Sequence, residues 1–206
     1  MPASSPNENV REARVTRTVL LLVDVQNEVL DAKGSLGGDL RNVAAAILAS
    51  IRQLVEWARR HQVPVVWVRM AYRAGYIDAS RRVRESAGEM AGRMIDGTWG
   101  AQLCDGLGRE DRDPVVIKKR PSAFFSTDLQ FILRGLGAET LIVGGTSTNW
   151  AIESTCRDAE TLDYRVTIAR EATGARVGEL HEPALRSIGS RYAEIKSVQD
   201  IVAKAP

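Results

Sequence analysis

The sequence predicts an α/β protein, a doubly wound, Rossmann-like three-layer sandwich with a mostly parallel sheet of five or six strands. Two observations predict this fold. Apolar runs with strand character alternate with amphipathic helical patterns. The apolar runs are continuous, which indicates strands buried on both faces, as in parallel sheets. Right-handed crossovers then bring the loops after successive strands to one sheet edge, where such folds place their ligands.

Five runs are predicted as strands, and a short sixth one near the carboxyl terminus would fit the same pattern. They are Thr18–Val23, Val63–Arg69, Pro114–Lys118, Thr140–Gly144 and Arg165–Ala169, with Ala193–Ile195 as the short last one.

Four segments are predicted as helices: Leu40–His61, Thr127–Leu136, Trp150–Leu162 and Glu179–Arg191. The first has apolar residues at the one-face spacing of an amphipathic helix. Gly135 and Gly137 are expected to stop the second. The segment Ala71–Gly100 is too long for a simple crossover, and we expect it to form part of a pocket wall or a subunit contact.

Composition favours one compact domain, residues 16–206, after a flexible N-terminal arm of residues 1–15. The chain has 206 residues, 44% of them hydrophobic, and a net charge of +2 from interspersed charges. Without a concentrated basic stripe, nucleic-acid binding is not expected. No run approaches the roughly 20 apolar residues of a membrane span, and the arm lacks the apolar core of a secretory signal. Two cysteines suit a reducing cytoplasm.

Asp24 follows the first predicted strand, at the carboxyl edge of the sheet. Partial desolvation there would raise the pKa of its carboxyl group towards the range of a general base. Strand-end aspartates also cap turns, so this position alone does not decide between the two roles. Lys118 ends the third strand, where it could hold a carboxylate or stabilise a thiolate, or simply extend its ammonium group to solvent.

The segment Val143–Thr155 reads as a buried strand that passes through a glycine pair and a small polar turn into a helix. Ala151 therefore lies near a helix N-terminus at the sheet edge. Unpaired N–H groups and the helix dipole would favour a thiolate at such a position.

These segments resemble the motifs of the isochorismatase-like cysteine hydrolases. The approximate pattern G-x-x-T-N-x-C-V-E-S-T-x-R-D-A matches the region from Gly145 to Ala159, except that Ala151 replaces the cysteine and Ile152 the valine. Asp24-Val25-Gln26-Asn27 resembles the D-x-Q-N base motif, and the run from Lys118 to Leu129 resembles K-x-R-x-S-A-F-x-x-T-x-L. The segment Gly97–Ala101 resembles the element G-T-W-G-A. The resemblance covers Thr18 to about Ala175 and is fullest with the carbamoyl and ureido amide hydrolases.

The resemblance implies a catalytic triad of Asp24, Lys118 and a cysteine at position 151. The aspartate would take the thiol proton and later protonate the leaving amine, and water would hydrolyse the thioester. The backbone N–H groups of Ser147 and residue 151 are the expected oxyanion donors. A cis peptide bond is implied between Thr146 and Ser147.

Six further residues are predicted to bind substrate: Gln26, Trp99, Arg120, Ser122, Phe124 and Trp150. Arg120 could hold a carboxylate or carbonyl, or pair with a nearby acid. Gln26 could bind substrate or only orient Asp24, and the aromatic residues could equally belong to the core. No metal or other cofactor is expected, because His61 and His181 are far apart and no phosphate-binding fingerprint occurs.

The other cysteines are not convincing replacements for a nucleophile at position 151. Cys156 lies about 140° around the helix from position 151, so core packing is its better interpretation. Cys104 is expected on a short helix behind the Gly97–Ala101 element.

Two explanations of Ala151 compete: an introduced Cys→Ala change, or natural loss of the nucleophile. The intact Asp24 and Lys118 favour an introduced change, because a buried ion pair is costly to maintain without a use.

The predicted activity is hydrolysis of a small linear amide or carbamoyl compound, with this chain disabled at position 151. The alternatives are a vinyl-ether hydrolase of the isochorismatase type, which needs no cysteine, and an inactive binding or scaffold protein. The resemblance also implies a homodimer or homotetramer. The substrate is a small molecule that the sequence does not identify.

Overall fold

The computed structural model describes residues 17–86, 90 and 92–206, and it has the predicted three-layer α/β architecture. Six strands form one sheet in the order β3-β2-β1-β4-β5-β6, and every pairing is parallel. The sheet order reverses between β1 and β4, so the loops after these two strands diverge and leave a crevice at their carboxyl ends. The predicted arm lies outside the described residues, and the single-domain assignment stays a prediction.

The strands lie close to their predicted positions. They are β1 Thr18–Val23, β2 Val65–Met70, β3 Val115–Lys118, β4 Thr140–Thr146, β5 Arg165–Gly174 and β6 Glu194–Lys196. The short sixth strand is therefore confirmed, and β5 continues five residues beyond its predicted end.

Seven α-helices are present in the described part of the chain. They are α1 Asn27–Leu30, α2 Ala44–Arg60, α3 Arg81–Glu85, α4 Leu129–Gly135, α5 Glu153–Thr161, α6 His181–Gly189 and α7 Val198–Val202.

All four predicted helices begin later than predicted, and the second, Leu129–Gly135 instead of Thr127–Leu136, includes the glycine expected to stop it. The helix predicted from Leu40 begins at Ala44, because a 3-10 turn over Gly38–Asn42 and the non-helical backbone of Val43 precede it. The helix predicted from Trp150 begins instead with a π-helical turn, Thr148–Ile152, which leads into α5. The helix predicted from Glu179 starts as a short 3-10 turn before α6.

Two short helices, α1 and α7, were not predicted, because neither is long enough to show a period. The second of them, α7, packs on α2, and the indole N–H of Trp57 donates to the Lys204 carbonyl at 2.9 Å. This bond satisfies a polar group on a fully buried side chain.

The core consists of two apolar clusters, one on each face of the sheet, as parallel strands require. One cluster joins β1 and β2 to α2 through residues such as Leu22, Leu54 and Trp57. The other joins the opposite faces of the same strands to α4, α5 and α6, and it contains Cys156. Cys156 is therefore a core residue, as predicted.

Gly145 fits β4 against β1 close to the crevice. Its φ is 117°, and a Cβ atom there would lie 1.9 Å from the Val23 carbonyl oxygen. Only glycine fits this position, because both the backbone angle and the space exclude a side chain. The following residues thereby stay close to the end of β1.

The segment of residues 71–100 folds over the crevice, which confirms the prediction of a pocket wall for its described part. It contains a 3-10 turn at Ala74–Tyr76 and α3, and a bridge pairs Tyr72 with Ile95. Arg81 and Arg82 on α3 are exposed, as expected of a solvated helix face.

Within the ranges that the structure describes, no helix has the length and hydropathy needed to span a bilayer.

Candidate active site

Asp24 occupies the first position after β1, in a backbone conformation that non-glycine residues rarely adopt. Its φ is 53°, its N–H donates to the Val68 carbonyl at 2.8 Å, and its own carbonyl accepts the Thr146 hydroxyl at 2.8 Å. Strained residues of this kind persist where the surroundings fix them, and they concentrate at functional sites. The two neighbouring strands therefore hold Asp24 in place from both sides.

Lys118 and Asp24 form a buried ion pair. The Lys118 Nζ lies 2.8 Å from Asp24 Oδ2 and donates a second hydrogen bond to the Arg120 carbonyl at 3.1 Å. The lysine side chain is 0% exposed and the aspartate side chain 11%. The lysine does not reach solvent, which excludes the interpretation of an ammonium group extended to water.

The second carboxylate oxygen of Asp24, Oδ1, is buried and accepts no hydrogen bond from any residue that the structure describes. Burial raises the pKa of Asp24, and the charge and hydrogen bond of Lys118 oppose that shift, as does the nearby Met70 N–H, which donates to Gln26 Oε1 at 2.9 Å. An unpaired buried acceptor is costly unless a ligand pairs with it. Asp24 is therefore placed to accept a hydrogen bond or a proton from a bound molecule.

Ala151 lies in the π-helical turn between β4 and α5. A cis peptide joins Thr146 and Ser147, as the resemblance implies. The Ser147 hydroxyl donates to Asn149 Oδ1 at 3.0 Å and accepts from the Arg176 N–H at 3.0 Å. The Ala151 methyl group is buried and contributes no reactive group. The oxyanion roles of the Ser147 and Ala151 N–H groups stay predictions.

A small cavity of about 80 Å³ lies beside Asp24, between the sheet edge and the 71–100 segment. Four lining residues are polar, and the other eight are predominantly apolar. The polar residues are Asp24, Thr146, Ser147 and Arg176. The others are Val29, Leu36, Met70, Tyr72, Val83, Met90, Met94 and Trp150.

Of the predicted substrate-binding residues, Trp150 lines this cavity and is 44% exposed. Trp99 does not line it. Its half-exposed ring borders a separate surface depression with Asn27 and Arg69. The expectation that Trp99 forms a wall of the pocket is corrected, because the 3-10 turn Trp99–Ala101 packs on α1 and the ring faces the other depression.

The Gln26 side chain forms its hydrogen bonds with backbone groups. Its amide N–H groups donate to the Met70 and Ala101 carbonyls at 2.8 and 2.9 Å, and its oxygen accepts the Met70 N–H at 2.9 Å. The side chain is fully buried, and these bonds leave none directed at Asp24. Neither predicted role fits, because the amide instead joins the end of β2 to the 99–101 turn.

The prediction that Ser122 and Phe124 bind substrate is also corrected, because both side chains make contacts that stabilise the loop after β3. The Ser122 hydroxyl donates to Asp158 Oδ2 and accepts the Phe124 N–H, so its bonds are directed away from the cavity. The Phe124 ring stacks on Tyr164 at 6.0 Å between ring centroids. Both side chains therefore hold the loop after β3 against α5 and Tyr164.

Two residues of the motif that follows Ala151 hold the loop after β3 in place. On α5, Thr155 accepts the Ala123 N–H at 3.0 Å, and Asp158 accepts from Ser122. The Ser-Ala-Phe run is thus tied to the helix after position 151. Two motifs that are distant in sequence lock together and so fix the loop that follows Lys118.

Arg120 is partly buried, and within the described chain it forms no ion pair with an acid. One guanidinium nitrogen, Nη1, donates to the Asp78 and Lys119 carbonyls at 2.9 and 2.7 Å. Binding of substrate by Arg120 stays a prediction.

Sequence reasoning missed Tyr72 and Arg176. The Tyr72 hydroxyl donates to the Met70 thioether at 2.9 Å, and the side chain is buried against the cavity. Burial, with the negative charge of Asp24, raises the pKa of Tyr72 to about 12. The Arg176 side chain is exposed at the rim, just beyond the part of the sequence that carries motifs. An Asp-Tyr pair 48 residues apart gives no local signal.

The thiols are poorly placed for nucleophilic chemistry. Burial raises the pKa of Cys104 and that of Cys156 to about 12 in each case. Cys104 is not on the predicted helix: it follows an isolated bridge between Gln26 and Leu103, and its N–H donates to the Val25 carbonyl. Across the described ranges, no three His, Cys, Asp or Glu residues cluster as metal ligands.

Comparison with known proteins identifies one family. The model of the isochorismatase domain matches residues 18–200. A relative from Arabidopsis thaliana, named "Probable inactive nicotinamidase At3g16190", is 37% identical over 174 residues, which cover 82% of this chain and 86% of the relative. The ureidoacrylate amidohydrolase RutB from a strain of Methylorubrum extorquens is 32% identical over 197 residues, which cover 88% and 79%.

A solved structure shares the fold over almost the whole length. It is the cysteine hydrolase from Pseudomonas syringae pv. phaseolicola 1448A, with a TM-score of 0.81 and 26% sequence identity. The similarity covers 91% of both chains.

Proposed function

The chain belongs to the isochorismatase family, and from that premise we propose that its cavity is the active site of a hydrolase for small linear amides or carbamoyl compounds. The chemistry needs a nucleophile at position 151, which Ala151 does not supply. The chain as it stands therefore binds its ligand without turning it over.

The single observation that carries this proposal is the buried Lys118–Asp24 pair with its unpartnered oxygen beside the cavity. An amide N–H of a ligand would satisfy Asp24 Oδ1, which otherwise carries an uncompensated desolvation cost. The relative named ureidoacrylate amidohydrolase supports the same class of reaction.

With a cysteine at position 151, each step has a residue to perform it. Asp24 would accept the thiol proton, and Lys118 would favour the resulting thiolate. The thiolate would attack the amide carbonyl, and the backbone N–H groups of Ser147 and residue 151 would stabilise the oxyanion. Asp24 would then protonate the departing ammonia or amine, and water would hydrolyse the thioester to the acid.

The test compares ammonia release by the chain as it stands with that of the Ala151→Cys variant. Substrates are N-carbamoyl amino acids, ureidoacrylate, biuret, nicotinamide and simple primary amides. Loss of a triad nucleophile typically costs on the order of a millionfold in turnover, so restored activity should be plain. The double variant Ala151→Cys/Asp24→Asn is the control, and it should stay silent.

A second candidate, a natural binding protein, is favoured by one observation: a relative 37% identical carries the word inactive in its name. Silence of the Ala151→Cys variant on every amide, with a ligand still bound tightly, would support it and refute the amidase. Cleavage of a vinyl ether by the chain as it stands would instead support the isochorismatase type of chemistry.

A further inference from the structure

The walls of the cavity differ sharply in chemistry from one end to the other. At the sheet edge lie the Asp24 carboxylate and the Tyr72 hydroxyl, an acceptor and a donor. Thr146 and Ser147 also line the cavity, but their hydroxyl groups already donate to the Asp24 carbonyl and to Asn149 Oδ1. The remaining lining side chains are aliphatic, thioether or aromatic, and the only formal charge besides Asp24 among the described lining residues lies at the exposed rim, on Arg176.

The polar end matches the two polar atoms of an amide. Asp24 Oδ1 has no partner, so it can accept an amide N–H. The Tyr72 hydroxyl donates only to a thioether sulfur, which is a weak acceptor, so a carbonyl oxygen would be a better partner. Because the pKa of Tyr72 is raised to about 12, the hydroxyl keeps its proton at neutral pH.

The apolar end excludes polar substituents. Met70 and Met94 are 7% and 4% exposed, and Val83 on α3 closes the same wall. A ureido N–H or a carboxylate placed among these side chains would lose its hydration without finding a partner. A methylene group at the same place would gain from burial.

Resting on the proposed function, we propose that the ligand is a short, uncharged aliphatic primary amide, held by Asp24 and Tyr72 at its head and by the methionine-rich wall along its chain. The volume of 80 Å³ corresponds to between two and three water molecules at about 30 Å³ each. A small amide with two to four carbons in all is therefore the upper range of size, and the longer of these require the methionine side chains to move. Methionine side chains can rearrange to accept a branch.

The experiment compares two matched pairs of compounds, propionamide with methylurea and butyramide with ethylurea. Within each pair, one methylene group of the amide is replaced by an N–H group in the urea. In the Ala151→Cys variant we expect each amide to have a kcat/KM roughly tenfold or more above that of its urea. N-Carbamoylglycine should be poorer still, by roughly a hundredfold. Binding of the same compounds to the chain as it stands, measured by calorimetry, should follow the same order.

Three variants of lining residues and one control variant test which side chains produce this selectivity. Tyr72→Phe should raise KM for butyramide by roughly tenfold, because the hydroxyl donor is lost while the ring stays. Met94→Gln should reduce the preference for amides over ureas, whereas Met94→Leu should keep it. Ile77→Thr is the matched control, since Ile77 is 75% exposed in the same segment and does not line the cavity.

The two proposals fail in distinguishable ways. If the Ala151→Cys variant prefers N-carbamoylglycine, and Arg176→Gln abolishes that preference, the aliphatic class is refuted while the amidase stands. Equal rates on amides and ureas would refute it as well. If short amides bind in the predicted order but no variant hydrolyses any of them, the ligand class stands and the amidase is refuted.

Discussion

Replacing Lys118 with Met removes the positive charge of the buried pair and keeps most of the side-chain volume. At 2.8 Å and an effective dielectric constant near 20, the attraction between the two charges is about 6 kcal/mol. Burying the two ions offsets much of this, but the variant leaves the Asp24 carboxylate buried without compensation. The expected loss in the free energy of unfolding is therefore about 3–5 kcal/mol near pH 8.

The pH dependence of this loss separates the charge effect from packing. Burial already raises the pKa of Asp24 from its ordinary 3.8, and removing Lys118 should raise it further. A carboxyl group whose pKa is raised by folding binds its proton more tightly in the folded state. Its penalty is therefore absent below about pH 4 and grows as pH rises towards the folded-state pKa. The deficit of Lys118→Met should be smaller at pH 5 than at pH 8.

The assay is urea unfolding of the unsubstituted chain and the variants at both pH values, with Lys119→Met as the matched control. Lys119 Nζ pairs with Asp78 at 3.3 Å but is 27% exposed, so its removal should cost only about 1 kcal/mol or less. A Lys118→Met deficit of similar size at pH 5 and pH 8 would refute the reasoning. Equal losses for the two lysines would do so too.

Three further predictions concern two glycines and the histidine that bonds to Thr148. Gly145→Ala should prevent stable folding, with a loss above roughly 4 kcal/mol, because its Cβ would overlap the Val23 carbonyl; soluble expression and circular dichroism measure this. Gly135→Ala, where a Cβ meets nothing within 4 Å, should instead be neutral or stabilise by about 0.5–1 kcal/mol. His181 shares a 2.8 Å hydrogen bond with Thr148, and burial lowers its pKa below 6.5. Its contribution to stability is therefore complete above pH 6.5 and declines as pH falls below that value; His181→Gln should flatten this part of the stability curve, and an unchanged curve would contradict the assignment.

Much of the fold could be read from local patterns. The alternation of apolar runs and helices predicts the parallel sheet, since a strand buried on both faces needs apolar side chains on both. The same logic places Asp24 and Lys118 at carboxyl ends of strands, and the structure brings them to 2.8 Å. The unpredicted α7 is only five residues long, and it is stabilised by contacts with α2 that no local pattern reveals.

The sequence by itself determined which chemical groups follow which strands: a carboxylate after β1, an ammonium at the end of β3, and an alanine where the family motif has its cysteine. Tertiary structure alone decided which of the neighbouring side chains face the cavity. Gln26 and Ser122 look like pocket residues in the sequence, but partners 44 and 36 residues away take their hydrogen bonds. Tyr72 and Arg176 belong to none of the motifs, and they reach the cavity because they follow the carboxyl ends of β2 and β5. A motif specifies residue types at short spacing along the chain. The direction of a side chain depends instead on hydrogen bonds between residues distant in sequence, such as the bond between Thr146 and Asp24, which are 122 residues apart.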